Sequence, residues 1–315
     1  MPMVERKGRA RIGRTIRIAL AVIACCIFMI PVFWMGVTAL KPRDSIVTVP
    51  PSLVFKPGLD GFVRLFAEMS TLSKTEIEVY KQRTDLNWME QIALARGQKI
   101  IGQSQFVGRL LNSLIIAGGS TIVAVLLGTL AAYAFSRFRL PGQSDLLFFI
   151  LSTRMLPAVV VTIPIFLMYR RVGLYDTHIG MILLYTAFNL SFSVWLLKGF
   201  MDDIPREYEE AALVDGYSRW QAFIRLVLPQ AVTGIATAAV FCLMFVWNEF
   251  AFALMLTSDR ARTAPPSLTS IVGTGQREWG ATAAGVLLFL LPVLVITFLM
   301  RKYLLRGITF GAIRK

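Results

Sequence analysis

Residues 201–230 read MDDIPREYEE AALVDGYSRW QAFIRLVLPQ, from Met201 to Gln230. Asp202 and Asp203 precede Pro205. Acidic residues suit a helix N-terminus, and proline suits a first helical turn because its missing N–H is unsatisfied there anyway. Arg206–Asp215 follows with good helix formers, and Gly216 is placed to end the helix, since glycine accepts a left-handed backbone. A second helical stretch, Tyr217–Val227, leads to Pro229 and the next apolar run. The first helix carries Glu207, Glu209 and Glu210 and then two small residues, Ala211 and Ala212. Small side chains let another backbone come close, and an exposed carboxylate pairs with arginine. This chemistry fits a docking element for a partner protein; it also fits a solvated surface helix.

Both flanks of this stretch are membrane-like. A span needs about 20 mostly apolar residues, because the hydrocarbon core is about 30 Å thick and a helix rises about 1.5 Å per residue. Six runs qualify: Ile18–Leu40, Leu110–Phe135, Leu146–Tyr169, Ile179–Leu197, Ala231–Leu256 and Ala281–Met300. The expected fold is therefore all-α, a polytopic membrane protein with six transmembrane helices. Only Arg154 in the third run and Glu249 in the fifth are charged. The first run follows a basic flank and ends near Val37-Thr38-Ala39, which faintly resembles a signal cleavage site. A signal core is only about 7–15 residues; this run is longer and reads as a retained span.

Composition agrees. Of 315 residues, 56% are hydrophobic and 17% charged, against about 45–50% and about 25% in soluble domains. Disorder, collagen and a disulfide scaffold are excluded, and a soluble enzyme is disfavoured. The formal charge of +14 belongs to cytoplasmic loops and anionic lipid rather than nucleic acid. Arg6, Lys7, Arg9, Arg11, Arg14 and Arg17 precede the first run. Arg137 and Arg139 follow the second, Lys198, Arg206, Arg219 and Arg225 fall in the central loop, and Arg301, Lys302, Arg306, Arg314 and Lys315 follow the last. The alternate short loops hold only Arg170, Arg171, Arg260, Arg262 and Arg277. Both termini are thus expected in the cytoplasm.

The chain then divides into a basic N-terminus (1–17), a first helix (18–40), a long extracytoplasmic loop (41–109), a five-helix core (110–300) with the cytoplasmic loop 198–230, and a cytoplasmic tail (301–315). The long outer loop has an amphipathic stretch over Leu72–Arg96, with Leu86, Trp88, Met89 and Ile92 on one side. Cys25, Cys26 and Cys242 lie in apolar runs as small hydrophobes, and His178 has no neighbouring cysteine or histidine, so no metal site is expected. Pro157, Pro164 and Pro292 are expected to kink their helices.

Glu210-Ala211-Ala212, three residues, Gly216, nine residues, then Leu226-Val227-Leu228-Pro229 resembles the EAA motif of ABC-importer permeases. That pattern has isoleucine where this chain has Leu226. Asn112-Ser113-Leu114, the run Ala131-Ala132-Tyr133-Ala134-Phe135-Ser136-Arg137-Phe138 and the tail Arg306-Gly307-Ile308-Thr309-Phe310-Gly311-Ala312 resemble the carbohydrate-uptake branch, the maltose-type "G" permease subunit. The likeness covers about Phe106 to the C-terminus; the outer loop is longer and less typical.

The resemblance implies a type I ABC importer permease fold in the bacterial inner membrane. It implies no catalytic residue and no directly bound cofactor. ATP and Mg would be handled by two separate ATP-binding subunits, which agrees with a chain in which no glycine is followed by lysine and which therefore has no P-loop. A second permease subunit, an extracytoplasmic solute-binding protein and a sugar or polyol are the other implied partners. The implied coupling residues are Glu207, Glu210, Ala211, Ala212, Asp215, Gly216, Leu226, Leu228 and Pro229. Ionisable groups inside spans are costly and point to function. Arg154 and Glu249 are therefore candidates for the substrate path, with Asn189, Ser193, Trp247 and Asn248; structural packing fits them too. Arg154 and Glu249 are separated by about 15 Å of depth and are not expected to pair. A secondary transporter would need an ion relay that two isolated groups do not make, and no constellation for a membrane enzyme is present.

Overall fold

In the computed structural model the backbone is described for residues 2–52, 54–271 and 278–312, and the side chains for 14–52, 54–271 and 278–302. The tail signature 306–312 falls outside the described side chains, and Arg277, Arg314 and Lys315 fall outside the described residues. The chain forms two compact units.

The first unit comprises Met1–Ser104 and Ile271–Leu288. Helix α1 (Pro2–Leu40) extends the expected first span backward through the basic flank. In its Arg14–Leu40 stretch, the most apolar window has no residue buried within the protein. After it come α2 (Asp60–Phe66), strand β1 (Ala67–Thr71), α3 (Lys74–Lys81), α4 (Trp88–Ala95) and strand β2 (Gln98–Gln103). The strands pair antiparallel, from Ala67 opposite Gln103 to Thr71 opposite Gln98, with an irregularity between Glu68 and Met69.

This corrects two expectations. The fold is helical but not all-α, because the segment that follows α1 carries a two-stranded sheet. The single amphipathic helix expected over Leu72–Arg96 is two helices. Each opens with its own capping box, Ser73 with Glu76 and Asn87 with Glu90, so the chain has two helix starts where hydrophobic periodicity shows one. Ion pairs Arg96–Asp60 at 2.8 Å and Lys99–Glu76 at 3.1 Å tie the end of α4 and strand β2 to α2 and α3.

The second unit comprises Gln105–Ser270 and Phe289–Lys315. Its helices are α5 (Phe106–Arg137), α6 (Gln143–Ser152), α7 (Ala158–Arg171), α8 (His178–Asp202), α9 (Glu207–Val214), α10 (Val232–Trp247), α11 (Ala251–Leu256) and α12 (Ala264–Thr269), with the later part of α13 (Trp279–Ala312). Helices α5, α8 and α10 pack together. The residues that α5 buries include many small ones, Ala117, Ser120, Thr121, Ala124, Gly128 and Ala132, between larger Ile116, Val125 and Phe135. In a membrane, small residues let helices approach closely enough for dispersion to hold them. A β-carbon on Gly128 would lie 2.3 Å from Ser193 Oγ, so the crossing of α5 and α8 needs glycine there.

Among the described residues, four helices are long and apolar enough to span, and up to six if each of two bent pairs counts as one span. A bend at Pro157 is expected from the sequence; a break in the fifth run is not. The third run breaks into Gln143–Met155 and Ala158–Arg171, set at 90°, because Pro157 has no N–H to continue the helix and disfavours a helical conformation in the residue before it. The fifth run is α10 and α11, interrupted at 248–250. Pro164 and Pro292 sit inside α7 and α13. Cys242 is buried, whereas Cys25 and Cys26 are exposed.

Candidate functional site

The conspicuous surface feature of the second unit is the segment between α8 and α10. Helix α9 begins at Glu207, one residue later than expected, and its N-terminus has no side-chain cap; Asp202 belongs to the end of α8 instead. Its C-terminus is closed as the sequence requires. Gly216 adopts φ +88°. Its N–H donates to the Leu213 carbonyl at 3.1 Å, and the Tyr217 N–H donates to the Ala212 carbonyl at 2.9 Å. This pair of bonds is the Schellman arrangement, which satisfies carbonyls the helix leaves open. Nothing crowds Gly216 within 4 Å, so the requirement for glycine is set by the backbone angle alone.

The next segment, Arg219–Gln230, starts from a capping box of Ser218 and Gln221. It widens into a π-helical turn at Phe223–Val227 just before Pro229, which cannot donate to the carbonyl one α-turn back. It then meets α10 at 71°. Phe223, Val227 and Ala222 are buried beneath it.

The acidic residues of α9 divide between two faces. Glu207 and Glu210 are exposed, as is Ala211, while Glu209 and Ala212 are buried. Glu209 turns inward and accepts hydrogen bonds from Arg137 Nε and, at 2.8 Å, from the Tyr133 hydroxyl of α5. The coupling residues expected from the sequence include Glu207 and Glu210 but not Glu209, in keeping with this division; they also include Ala212, which is buried. The available signal was the i, i+3 spacing of Glu209 and Ala212, which puts them on one face. Of the other coupling candidates, Asp215 caps α9 and is exposed, Leu226 and Leu228 are half-buried, and Pro229 is exposed. On α9, Tyr208, Glu210, Ala211 and Val214 are all exposed, a mixture of acidic and apolar side chains, and Trp220 of the next segment is exposed as well.

The path candidates do not form one cluster. Arg154 sits in the short turn Thr153–Met155 at the break before α7. Its guanidinium lies over the rings of Phe245 at 4.4 Å and Phe192 at 5.2 Å. Glu249 lies at the break between α10 and α11. It accepts the Tyr185 hydroxyl at 2.5 Å and the N–H groups of Phe252 and Ala253 at 2.9 and 3.1 Å, capping α11. Both charges thus stand where a membrane helix is interrupted and backbone groups are freed. Asn189 is buried and donates to the Cys242 carbonyl at 3.0 Å. Ser193 is buried against Gly128. Trp247 is buried and stacks on Phe289, 4.9 Å between ring centroids. Asn248 is exposed, and its amide donates back to Met244.

At the opposite end of α8 from α9, Asn112 donates to the carbonyls of Arg260 and Arg262 and pairs with His178 Nε2 at 2.8 Å. Among the described residues no group of three or more His, Cys, Asp or Glu is arranged to hold a metal.

Residues 124–309 match the family described as binding-protein-dependent transport system inner membrane component. The chain is 36% identical to the trehalose transport system permease protein SugB of Mycobacterium tuberculosis over 212 residues, 66% of this chain and 77% of that one. It is 27% identical to the trehalose/maltose transport system permease protein MalG of Thermococcus litoralis over 296 residues, 93% of this chain and 94% of that one. A chain from the crystal structure of a bacterial ABC transporter importing the acidic polysaccharide alginate has the same fold, with a TM-score of 0.67 at 18% identity over 96% of this chain and 99% of that one.

Proposed function

The chain belongs to the family of binding-protein-dependent transport system inner membrane components, and we propose that it forms half of the translocation path of an ATP-driven importer for a sugar or polyol. The relatives named for trehalose and maltose support the substrate class. In this reading two ATP-binding subunits supply hydrolysis and handle ATP and Mg, a second permease completes the path, and a solute-binding protein delivers substrate from outside. The six spans leave both termini and the loop 198–230 in the cytoplasm and the loop 41–109 outside.

One observation carries the reading. Helix α9 shows Glu210 and Ala211 to solvent, buries Glu209 and Ala212, and ends on a left-handed Gly216. An amphipathic stub anchored on one face and free on the other suits insertion into a cleft on an ATPase. Glu210 supplies the acidic contact and Ala211 permits close approach; Glu207 and Asp215 flank them. Gly216 sets the turn, and Leu226, Leu228 and Pro229 join the stub to α10. When ATP closes the ATPase pair, α9 moves with it and the spans rock between outward and inward openings. The helix transmits motion and catalyses nothing.

Arg154, Asn248 and Glu249 then face the path at the helix breaks, while Asn189, Ser193 and Trp247 shape it from behind. Aromatic and amide groups match a sugar, which has apolar faces and a polar rim.

The test starts with purification of the chain from its own membranes in mild detergent and identification of what accompanies it. A Walker-motif ATPase and a second permease are expected. Glu210→Lys reverses the contact charge, and Gly216→Val forces a β-branched residue into a left-handed angle at a cost of about 1–2 kcal/mol. Each variant is expected to insert normally and to lose solute uptake while the ATPase stays active. Normal uptake by both variants would rule out α9 as the coupling element.

A further inference from the structure

We propose that Arg137, at the cytoplasmic end of α5, is the positioning residue that makes α9, the end of α8 and α5 move as one body. The inference rests on the reading of α9 as the ATPase-docking helix and adds the part that carries its motion inward.

Three separate segments meet on the Arg137 guanidinium. Its Nε donates to Glu209 of α9. Its Nη1 donates to the Met201 carbonyl in the last turn of α8, at 3.0 Å, and its Nη2 donates to the Ile204 carbonyl in the connection, at 3.0 Å. The Tyr133 hydroxyl, one turn earlier on α5, takes the other Glu209 oxygen at 2.8 Å. The remaining groups close the network. Ser136 Oγ donates to Asp202 at 2.6 Å and accepts from Arg137 Nη1, Arg206 donates to the Ser136 carbonyl, and Lys198 holds the second Asp202 oxygen at 2.6 Å. The Arg137 and Glu209 side chains are only 6% and 11% exposed.

This chemistry suits transmission. A helix held only by apolar contacts can slide, because dispersion is not directional. A planar guanidinium bound on three sides fixes both distance and angle, and a fully satisfied buried network is stiff. Stability alone does not call for such a pair, since apolar replacements of buried ion pairs are often equally stable. The Tyr133 ring also stacks on Phe223, 4.5 Å between centroids, so the same α5 turn holds the Arg219–Gln230 segment.

The experiment uses the whole complex, with spin labels at Leu213→Cys, an exposed position on α9, and Arg139→Cys, just past α5, after the three native cysteines are replaced by alanine. The distance between labels is measured with ADP and with ATP plus vanadate. In the parent protein it is expected to be narrow and the same in both states. In Arg137→Gln it is expected to broaden and to shift by about 2 Å on adding ATP plus vanadate, with unchanged complex yield and continued hydrolysis; Arg137→Lys, a point charge without the fork, falls between. A distance in Arg137→Gln that stays narrow and unshifted overturns the proposal, as does a parent distance that changes with nucleotide. If Arg137→Gln fails to accumulate, Tyr133→Phe decides, since it removes one hydrogen bond and no charge: broadening supports the tether and an unchanged distribution overturns it. If no ATPase accompanies the parent protein, the docking reading fails instead, while the nucleotide-free widths of parent and variant still report on the tether.

Discussion

Asp176 gathers four consecutive backbone N–H groups, Ser258 to Ala261, onto one carboxylate at 3.0 to 3.3 Å, and the Ser258 hydroxyl is a fifth donor at 3.0 Å. It adopts φ +55° to do so, an angle aspartate tolerates better than most residues. Burial pushes its pKa up, but the backbone donors outweigh that and hold it at about 2. The sign follows directly. A depressed carboxylate stabilises the fold above its unfolded pKa of about 3.9, and that stabilisation is lost as pH falls toward the folded value. Hydrogen-exchange protection of amides 258–261 is therefore expected to be full at neutral pH and to fall between about pH 4 and about pH 2. Asp176→Asn should expose these amides at neutral pH and flatten the decline; equal protection in both proteins would remove the carboxylate from this role. Nothing in the sequence marks Asp176, because its partners lie 82 to 85 residues further along the chain. Glu209 was hidden for a different reason. Its neighbours carry the same charge, and only the fold shows which of the glutamates meets Arg137.

Among the elements, the crossing of α5 and α8 is the tightest point to test. Leucine at 128 would need room where even a β-carbon meets Ser193 Oγ at 2.3 Å, whereas a β-carbon at Gly118 on the same helix meets nothing within 4 Å. Overpacking of this kind costs about 1–3 kcal/mol. Gly128→Leu is expected to lower the melting temperature of the detergent-purified protein clearly, and Gly118→Leu to leave it near that of the parent. Equal effects would mean that the two helices do not approach closely at 128. The existence of these helices was readable from apolar length, which the bilayer dictates. Their breaks were not. Asn248-Glu249-Phe250 differs little in hydropathy from any polar step inside a span, and a proline such as Pro157 bends some helices and ends others depending on what satisfies the freed carbonyls. The segment after α1 misled in the opposite direction. Periodicity over Leu72–Arg96 was continuous, and only the capping residues Ser73 and Asn87 record the restart.

For the molecule as a whole, orientation is the property that charge asymmetry predicts most directly. With Cys25, Cys26 and Cys242 replaced by alanine, Thr75→Cys on α3 should react with an impermeant maleimide on intact cells, and Asp215→Cys beside α9 only after permeabilisation. Both positions are exposed. The reverse pattern would invert the topology and put α9 on the wrong side for an ATPase. The family was legible in the spacing from Glu210 to Pro229 because helix α9, its glycine stop and the turn into the next span are contiguous in sequence. The surroundings of the path candidates were not, because Arg154, Asn189 and Glu249 each find their partners through packing, on Phe245, Cys242 and Tyr185 respectively.

The lone helix α1 differs from the rest in a way that bears on synthesis. Its backbone bonds close within itself, and the apolar core of its span owes nothing to the rest of the protein. It precedes α5, α8 and α9 in the chain and so leaves the ribosome before them, and it is a finished object as soon as it reaches the bilayer. The small-residue face of α5 is unfinished until α8 exists, and α9 has no anchor until α5 is already in place. Assembly of the working core must therefore wait on translation, whereas α1 secures the chain to the membrane before that core is complete.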